Sequence, residues 1–459
     1  MTIFETDTPN RMVTKPMMYI LLLLLSCFQL PGSGQVQDAV FPRRPAGSGQ
    51  VQEAVFPPRP AGSGQVQDTA IITRLVPDTA IITRQLPGIG HNAFSGVPAD
   101  TCNPDSDSVL TLLFAGDIMG HDGQIAAARD DSTGTWSYDT VFSYIAPHIS
   151  GVDVAIGNLE VTLGGPPYKG YPAFSSPDEL AVACRNAGFD ILGTANNHSA
   201  DRGSRGIFRT IRVLDSLGIR HTGTWISLVE RDTLSPLMIC HDSMRIAMLA
   251  YTYGTNGIVV QPPATVAYID TVRAAADISR AACLDADQTV IFIHWGIEYD
   301  TLPSAEQKRT AAALQRSGAD IIIGSHPHVV QPFKADTDST GMYNPVVWSM
   351  GNFVSNQRTR RRDGGMMIRL DITARGDSAY ISDAGYVLTW VYTPVENGKK
   401  KFYILPCAGF ESRPEFFQSP EHYDAMMLYI ADARRLMDNN GTGFREMTFN
   451  GVTWVTVER

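Results

Sequence analysis

The stretch ADIIIGSHPH, residues 319–328, places an unbroken apolar run directly before two histidines. The run from Ile321 to Ile323 shows no polar alternation, so we expect a strand buried on both faces, as in a sheet covered by helices. Pro327 lacks an amide proton and disfavours a helix at His326, so we expect an extended segment with the imidazoles of His326 and His328 on one side. Ligands in open α/β sheets bind beyond the carboxyl ends of such strands. The stretch therefore predicts an α/β fold with a binding site at that edge.

Six further apolar runs of strand length favour the same fold class. They are VLTLLFAG from Val109, VDVAIG from Val152, DILGTA from Asp190, RIAMLAY from Arg245, TVIFIH from Thr289 and PVVWSM from Pro345. Helical patterns over 178–186, 204–217 and 304–317 separate several of them, and Ser304 with Gln307 predicts a capping box. Strands that alternate with helices predict an α/β domain. After residue 364, alternation with period two predicts further strands, and an amphipathic helix follows over about 420–437.

The first 27 residues have the pattern of a bacterial export signal. Arg11 and Lys15 precede an apolar run of about ten residues, which suits a signal peptide and is too short for a transmembrane helix. The run ends at Cys27 in a sequence similar to a lipobox, so we expect lipid attachment there; a plain cleaved signal with an incidental cysteine is the alternative. The pattern predicts secretion across the inner membrane and a lipid-anchored location in the cell envelope.

Residues 28–108 are predicted to form a repetitive, low-complexity linker. GSGQVQ begins at Gly32, Gly47 and Gly62, and DTAIITR begins at Asp68 and Asp78. Such short repeats cannot bury a core, so we interpret them as a flexible stalk. The predicted organisation is a signal peptide over 1–27, the linker over 28–108, an α/β domain over 109–410 and a C-terminal helical extension over 411–459.

The charge of the chain excludes one class of partner. The formal net charge is −10 and no basic stripe runs along the sequence, so we predict no nucleic-acid binding. The one dense basic run consists of Arg358 and Arg360 to Arg362. We interpret this run as a solvated loop, with contact to a phosphate or a polyanion as the alternative. The six cysteines are scattered without a CxxC pair, so neither a zinc knuckle nor a disulfide framework is predicted.

Polar clusters stand where the apolar runs stop. They are GDIMGH (116–121), GNLE (157–160), ANNH (195–198) with Asp201, HWGIEY (294–299), GSHPH (324–328) and SMGNF (349–353). Carboxylate and amide oxygens suit manganese or iron, and imidazoles suit zinc, iron or manganese. We therefore predict a divalent-metal site. Its predicted ligands are Asp117, Glu160, Asn197, His294, His326 and His328.

Several of these ligands have a plainer alternative role. Asp117 can act as a helix cap or turn residue, and Glu160 as half of a salt bridge. His294 can be a core histidine, and the pair His326 and His328 can be surface residues of a turn. The convergence of all the clusters favours the metal site over these alternatives.

The cluster around His198 predicts acid–base chemistry. Imidazole can donate a proton near neutral pH, so His198 is the candidate general acid. Asp201, three residues on, can orient His198 or cap the following helix. We expect Asn196 to hold the turn and Asn352 to be structural. Glu298 is expected to contact either the site residues or the substrate.

The six clusters, in this order over residues 116–353, resemble the CapA family of capsule synthesis proteins associated with poly-γ-glutamate. The resemblance implies a metallophosphatase-like four-layer α/β/β/α sandwich of two mixed sheets, related to the calcineurin-like phosphoesterases. Under it Asp117, His294, His326 and His328 match the superfamily's metal ligands, and Asn197-His198 matches its Asn-His motif.

Two departures from that superfamily affect the expected chemistry. Met119 stands where the first motif has a histidine, with His121 two residues further on. The bridging aspartate of the second motif is missing, so Asn158 or Glu160 must replace it. These changes argue against a complete two-metal centre and leave open one metal, or a different hydrolysed bond such as an amide.

Three functions follow as hypotheses. The first is a metal-dependent hydrolase of the cell envelope that acts in assembly, export or trimming of a capsular polymer similar to poly-γ-glutamate. The second is an extracytoplasmic metal-dependent phosphoesterase, and the third is a non-catalytic scaffold that binds polymer. The expected partners are an anionic capsular polymer or a phosphoester substrate, a membrane reached through lipid on Cys27, and a capsule-synthesis membrane complex.

Overall fold

The computed structural model describes residues 108–338, 341–376 and 378–459. Within these ranges the chain forms eight α-helices and twenty β-strands. The predicted signal peptide, Cys27 and the repetitive region up to residue 107 lie outside the described residues. Among the described residues, no helix has both the length and the apolar character needed to cross a membrane.

The elements follow the chain in this order. The strands are β1 Val109–Ile118, β2 Val154–Leu159, β3 Ile191–Gly193, β4 Arg220–Thr222, β5 Thr224–Trp225, β6 Leu237–His241, β7 Met244–Thr252, β8 Thr265–Val266, β9 Gln288–His294, β10 Ile321–Ser325, β11 Val330–Asp338, β12 Gly341–Met350, β13 Asn352–Val354, β14 Gly364–Arg375, β15 Ser378–Tyr392, β16 Val395–Glu396, β17 Lys399–Lys400, β18 Tyr403–Pro406, β19 Arg445–Phe449 and β20 Trp454–Thr456. The α-helices are α1 Asp122–Ala128, α2 Ala146–Ile149, α3 Glu179–Ala187, α4 Gly203–Leu217, α5 Leu228–Leu234, α6 Thr271–Cys283, α7 Ala305–Arg316 and α8 Pro420–Asn440.

The main sheet is mixed and has two parallel halves. Strands β1 to β4 pair in parallel on one side, and β7, β9, β10 and β12 pair in parallel on the other. The long antiparallel strands β14 and β15 join the halves, so the sheet order is β4-β3-β2-β1-β14-β15-β12-β10-β9-β7-β6. The predicted α/β class with mixed strands is confirmed. The two sheets expected from the sequence are linked into one hydrogen-bonded sheet of sixteen strands within the described residues.

Alternate residues of the central strands face different cores. In β1, Leu112 and Phe114 belong to the core between the two halves, while Leu113 belongs to the core under α3. In β9, Phe292 faces the central core, and Ile291 packs with residues of α6 and α7. Burial on both faces explains why these strands are apolar without interruption. The layers are therefore helix, sheet, sheet and helix.

Contacts between aromatic and small residues hold the two halves together. The rings of Phe114 and Phe292 lie 6.2 Å apart across the central core. A Cβ atom on Gly193 of β3 would lie 2.7 Å from the Phe292 ring, so this ring fills the space that the glycine leaves. Phe292 therefore bridges both halves of the sandwich, whose carboxyl ends carry the polar clusters.

The helix signals in the sequence correspond to real helices. Helix α7 begins after Ser304, whose side chain accepts a hydrogen bond from the Gln307 amide, and the reciprocal bond completes the predicted capping box. Helix α4 begins at Gly203 with Arg202 as its N-cap and without a side-chain cap. The cap role that was one alternative for Asp201 is therefore absent.

The C-terminal region combines a helix with strands. Helix α8 contributes Met426, Tyr429 and Ile430 to the central core. After it, β19 pairs with β15 of the main sheet and with β20. Residues 411–459 thus contain the predicted helix together with a strand of the main sheet.

The basic run near residue 360 is not a simple solvated loop. Arg358 is half-buried and lies over the Trp390 ring, with its guanidinium carbon 5.3 Å from the ring centre. Arg360 and Arg361 both pair with the carboxylate of Asp432 in α8, at 2.6 Å and 3.2 Å. Packing of α8 against this segment gives these arginines partners that the sequence pattern did not indicate.

We expect Phe292→Ala to lower the free energy of unfolding by about 3–5 kcal/mol, because it leaves a cavity between the two halves. The control is Val272→Ala, whose side chain is 81% exposed and which should change that free energy by less than about 0.5 kcal/mol. Urea unfolding of both variants measures the difference. Equal midpoints for the two variants would contradict the account of the central core.

Candidate metal and acid–base site

Side chains from remote parts of the chain meet beyond the carboxyl ends of both sheet halves. Asp117 Oδ2 of β1 lies 3.1 Å from His328 Nδ1, which follows β10. Asn197 Oδ1, which follows β3, lies 2.7 Å from His294 Nε2 at the end of β9. Each of these pairs joins one half of the sheet to the other. The predicted ligands therefore share one buried cluster.

Close backbone packing fixes the position of Asp117. Its amide donates to the Gly351 carbonyl at 3.0 Å, and a Cβ atom on Gly116 would lie 2.1 Å from that same oxygen. Only a glycine at position 116 permits this approach. The carboxylate of Asp117 is fully buried and accepts a hydrogen bond from Asn158 Nδ2 at 2.8 Å.

The histidine pair reaches the site by a different backbone path from the one expected. His326 has φ of 102° and His328 has φ of 58°, so both lie in the left-handed region and the segment is not extended. The expectation of an extended chain was therefore wrong. The two rings still face one site, with centres 6.0 Å apart. Positive φ in two non-glycine residues is backbone strain of the kind that occurs at functional sites.

Glu160 lies at the centre of the cluster and has no hydrogen-bond donor. Neither carboxylate oxygen has a hydrogen-bond partner among the described residues, although the side chain is fully buried. Its Oε1 lies 3.5 Å from His294 Nε2 and 3.8 Å from His328 Nε2, too far for hydrogen bonds. A buried carboxylate without a donor is costly unless a proton or a cation compensates it.

Two groups of potential ligands share Glu160. One consists of Glu160, His294 and His326, and the other of Asp117, Glu160 and His328, with the candidate ligand atoms of each group within 4.8 Å of one another. His326 Nδ1 and His294 Nε2 are 3.1 Å apart. The Asn197 carbonyl oxygen next to His294 Nε2 adds a neutral donor to the first group.

The protonation states of the cluster suit a metal site. Burial raises the pKa of Glu160 well above its usual range, and the charge of Asp117 raises it further. Burial lowers the pKa of His294 and of His326 well below the usual range, and neighbouring imidazoles lower each further. The imidazoles are therefore neutral, with the lone pairs that metals require, whereas ionised Glu160 needs a compensating cation.

A neighbouring hydroxyl can set the tautomer of His294. Ser325 Oγ lies 3.0 Å and Asn158 Nδ2 lies 3.2 Å from His294 Nδ1, and of the two only the hydroxyl can accept a hydrogen bond from this nitrogen. In that tautomer Nε2, which faces Glu160 and Asn197, is free to coordinate. The neutral and acidic donors of this cluster fit a divalent cation of the manganese, iron or zinc type.

His198 and Asp201 form a buried pair beside the cluster. His198 Nδ1 lies 2.8 Å from Asp201 Oδ2, which also accepts a hydrogen bond from the Phe174 amide at 2.7 Å. The Phe174 ring packs edge-on against the imidazole, with ring centres 4.6 Å apart. Asp201 therefore fixes the orientation of the His198 ring through Nδ1.

Several polar residues of the same clusters have supporting roles. Asn196 holds the turn, since its amide donates to the Leu159 carbonyl at 2.7 Å and its oxygen accepts from the His198 amide at 3.1 Å. Asn352 is structural, because its buried amide donates to the backbone carbonyls of His328 and Arg362. Of the two candidates for the bridging position, Asn158 donates to Asp117, so Glu160 is the one that fits.

His121 does not take the place of the missing histidine. Its Nδ1 lies 3.1 Å from Gln124 Oε1 and accepts from the Asn356 amide at 3.3 Å, which ties it to α1. Burial lowers the pKa of His121 to about 4. Met119 packs into the core under α3.

Glu298 is exposed, so it lies at the surface of the site.

The structure adds residues to which the sequence analysis gave no role. The ring of Tyr253, the residue after β7, lies 4.6 Å from the His326 ring and is stacked at 6.3 Å on His294. Asn256 Oδ1 accepts a hydrogen bond from the Asn197 amide at 3.3 Å. Tyr253 follows an apolar run, as the other clusters do, so the same signal could have identified it. Asn256 stands three residues further on and carries no such signal.

Comparison with protein families and curated proteins gives clear matches. The model of the family described as bacterial capsule synthesis protein PGA_cap matches residues 111–357. The capsule biosynthesis protein CapA of Bacillus anthracis is 30% identical over 273 residues, which cover 56% of this chain and 63% of that protein. The PGA biosynthesis protein CapA of Bacillus subtilis is 30% identical over 285 residues, which cover 57% of this chain and 68% of that protein. The chain thus spans less than two thirds of the first relative.

Solved structures give weaker similarities. The NAD nucleotidase of Haemophilus influenzae has a TM-score of 0.40 and 11% identity, over 72% of this chain and 61% of that chain. The calcineurin-like phosphoesterase YfkN of Bacillus subtilis has a TM-score of 0.36 and 13% identity, over 72% of this chain and 98% of that chain.

We expect Glu160→Gln to stabilise the metal-free protein by about 1 kcal/mol or more at pH 8, because it removes a buried charge without donors. The pKa of Glu160 is raised on folding. Glu160 therefore does not destabilise the wild type below the ordinary glutamate pKa, and its destabilising effect grows as the pH rises. The gain in Tm should therefore be larger at pH 8 than at pH 5 in the presence of a chelator. Manganese or zinc should then stabilise the wild type more than the variant.

Glu415→Gln is the control, since the Glu415 side chain is 71% exposed. It should leave both the Tm and the response to metal unchanged. A wild-type protein whose Tm does not respond to manganese, iron or zinc would contradict the assignment of the cluster as a metal site.

Proposed function

The chain belongs to the bacterial capsule synthesis protein family PGA_cap, and we propose that it is a metal-dependent hydrolase acting on capsular polymer in the cell envelope. The observation that carries the proposal is the buried Glu160 carboxylate, which has no hydrogen-bond donor and faces His294 and His328. A polymer of the poly-γ-glutamate type is the proposed substrate, since one relative is named a PGA biosynthesis protein.

Residues of the chain itself would bind the ion and transfer a proton to the leaving group. Asp117, Glu160, Asn197, His294, His326 and His328 would hold the ion. The chemistry that a divalent ion supplies in such a site is polarisation of the scissile carbonyl or phosphoryl group and activation of water.

His198 is placed to protonate the leaving group. Hydrolysis of an amide adds the hydroxyl of water to the carbonyl carbon and requires a proton on the departing nitrogen. Asp201 holds the imidazole through Nδ1, which leaves Nε2 to deliver this proton. Burial of the pair keeps competing water away from it.

Two bond types are compatible with this arrangement. An amide of a γ-linked polymer and a phosphoester both need an activated water and a protonated leaving group. The departures at Met119 and at the second motif favour the amide, because they remove positions that a phosphoesterase of the calcineurin-like type uses. Assays on γ-linked oligoglutamate and on bis-p-nitrophenyl phosphate separate the two.

We expect His198→Gln to lower kcat for an amide substrate by about 10²- to 10⁴-fold, the usual contribution of a general acid. The loss should be small for p-nitrophenyl esters, because p-nitrophenolate leaves without a proton. Asp201→Asn should lower kcat in the same substrate-dependent way, and metal content should be unchanged in both variants. Rates are measured with the full-length protein in the presence of manganese.

Asp215→Asn is the matched control, because Asp215 pairs with His221 at 3.1 Å outside the cluster. It should leave every rate unchanged. Equal losses for amide and p-nitrophenyl substrates would argue against proton donation by His198. A protein that binds metal and turns over neither substrate would favour the scaffold function.

We also propose that the protein is held at the membrane by lipid on Cys27, which lies outside the described residues. The lipobox-like sequence at Leu24 to Cys27 supports this proposal. Cys27→Ser should move the protein from the membrane fraction to the soluble fraction and abolish incorporation of labelled palmitate. Cys240→Ser, at an exposed cysteine of the domain, should leave both unchanged.

A further inference from the structure

Two arginines of the basic run lie over aromatic rings, and one of these, Arg362, stands beside the metal-ligand cluster. Arg358 lies half-buried over Trp390 and donates to the Asp363 carbonyl at 3.5 Å, whereas Arg360 and Arg361 share the carboxylate of Asp432. Arg362 has no carboxylate partner within 4.0 Å among the described residues. Its guanidinium lies instead over the ring of Tyr299, with the guanidinium carbon 3.5 Å from the ring centre.

Tyr299 connects this arginine to the metal-ligand cluster. The Tyr299 amide donates to the Pro327 carbonyl at 2.8 Å, within the segment that carries both cluster histidines. The Tyr299 ring lies 6.2 Å from the His328 ring, measured between centres. The guanidinium of Arg362 therefore stands one aromatic ring away from a predicted ligand.

A second connection fixes the backbone of Arg362. The fully buried amide of Asn352 donates to the Arg362 carbonyl at 2.8 Å and to the His328 carbonyl at 3.3 Å. One side chain thus holds both segments side by side. Since the ring of Tyr299 and the amide of Asn352 both place Arg362 here, its position does not depend on a single contact.

The chemistry of a stacked guanidinium is specific. Stacking on an aromatic face uses the flat side of the group and leaves the N–H donors in its plane available. Such donors bind a carboxylate or a phosphate in bidentate geometry. The chain carries a net charge of −10, and the exposed Glu298 adds a negative charge next to Tyr299, so general attraction of polyanions is weak here. Directed hydrogen bonds must supply the recognition.

We propose that Arg362 is a specificity-determining residue that binds an anionic group of the substrate, a carboxylate or a phosphate, beside the scissile bond. The inference rests on the proposed function, and it names what the site selects. The backbone of a γ-linked glutamate polymer presents one free carboxylate per residue, so this polymer would place an anion next to every amide. A phosphoester substrate would present its own phosphate oxygens to the same donors.

The test is binding to the full-length protein, measured by calorimetry with manganese and, separately, with a chelator. The probes are a decamer of γ-linked glutamate, phenyl phosphate, and a decamer of γ-linked glutamine as the uncharged analogue. Arg362→Gln should weaken binding of the anionic probe at least tenfold and leave binding of the glutamine decamer unchanged. Arg362→Lys should recover part of the affinity, because it restores charge without the planar donors.

Arg360→Gln is the matched control, since Arg361 remains paired with Asp432. It should change the affinity less than twofold. Thermal unfolding and metal content establish that each variant is folded and loaded. The anionic probe that responds to Arg362 identifies the source of the anion as carboxylate or phosphate.

Equal affinity of the wild type and Arg362→Gln for both anionic probes would overturn the inference, as would a wild type that binds neither. A different result would contradict the proposed function, namely a wild type that holds no metal or shows no metal-dependent turnover. Anion binding that depends on Arg362 but is unaffected by the chelator would support this inference even then.

Discussion

The site depends on a carboxylate that the protein buries without giving it a hydrogen-bond donor. Glu160 directly follows β2 inside the sandwich, and both of its oxygens lack a partner among the described residues. A carboxylate in this position is stable only as a neutral acid or beside a cation, because desolvation of the charge is otherwise uncompensated. Burial lowers the pKa of His294 and of His326 well below the usual range, so these two imidazoles are neutral and available as ligands. We propose that the compensating cation is a metal ion held between the two halves of the sheet.

Most of the fold could be predicted from the sequence because its central strands carry a strong and simple signal. Runs such as Ile321 to Ile323 are apolar at every position, and both faces are indeed buried, one in the central core and the other under α6 and α7. What the sequence could not provide is the pairing of β14 with β1 and β15 with β12, which joins two halves into one sheet. The β1–β14 pairing joins strands more than 200 residues apart, and local periodicity carries no information on which strands pair.

The site was predictable as a set of residues and not as a geometry. Each predicted ligand lies at or just after the carboxyl end of a buried strand, and parallel strands bring such positions to a common edge. The positive φ values of His326 and His328 are imposed by the surrounding structure and oppose the ordinary preference of these residues, so reasoning from Pro327 gave the wrong backbone path. Tyr253 and Arg362 gain their roles from packing against His326 and Tyr299, which lie far from them in sequence. Residue types and strand ends can be read from a sequence, whereas such partners require the fold.

The central claim is that Glu160 and its histidine neighbours hold a divalent ion. Anomalous diffraction from crystals of the protein grown with manganese or zinc tests it most directly. The account predicts an anomalous peak within coordination distance of a Glu160 oxygen and of at least two of His294, His326, His328 and Asp117. An electron-density map with no such peak, in which water or protein donors satisfy both Glu160 oxygens, would contradict it.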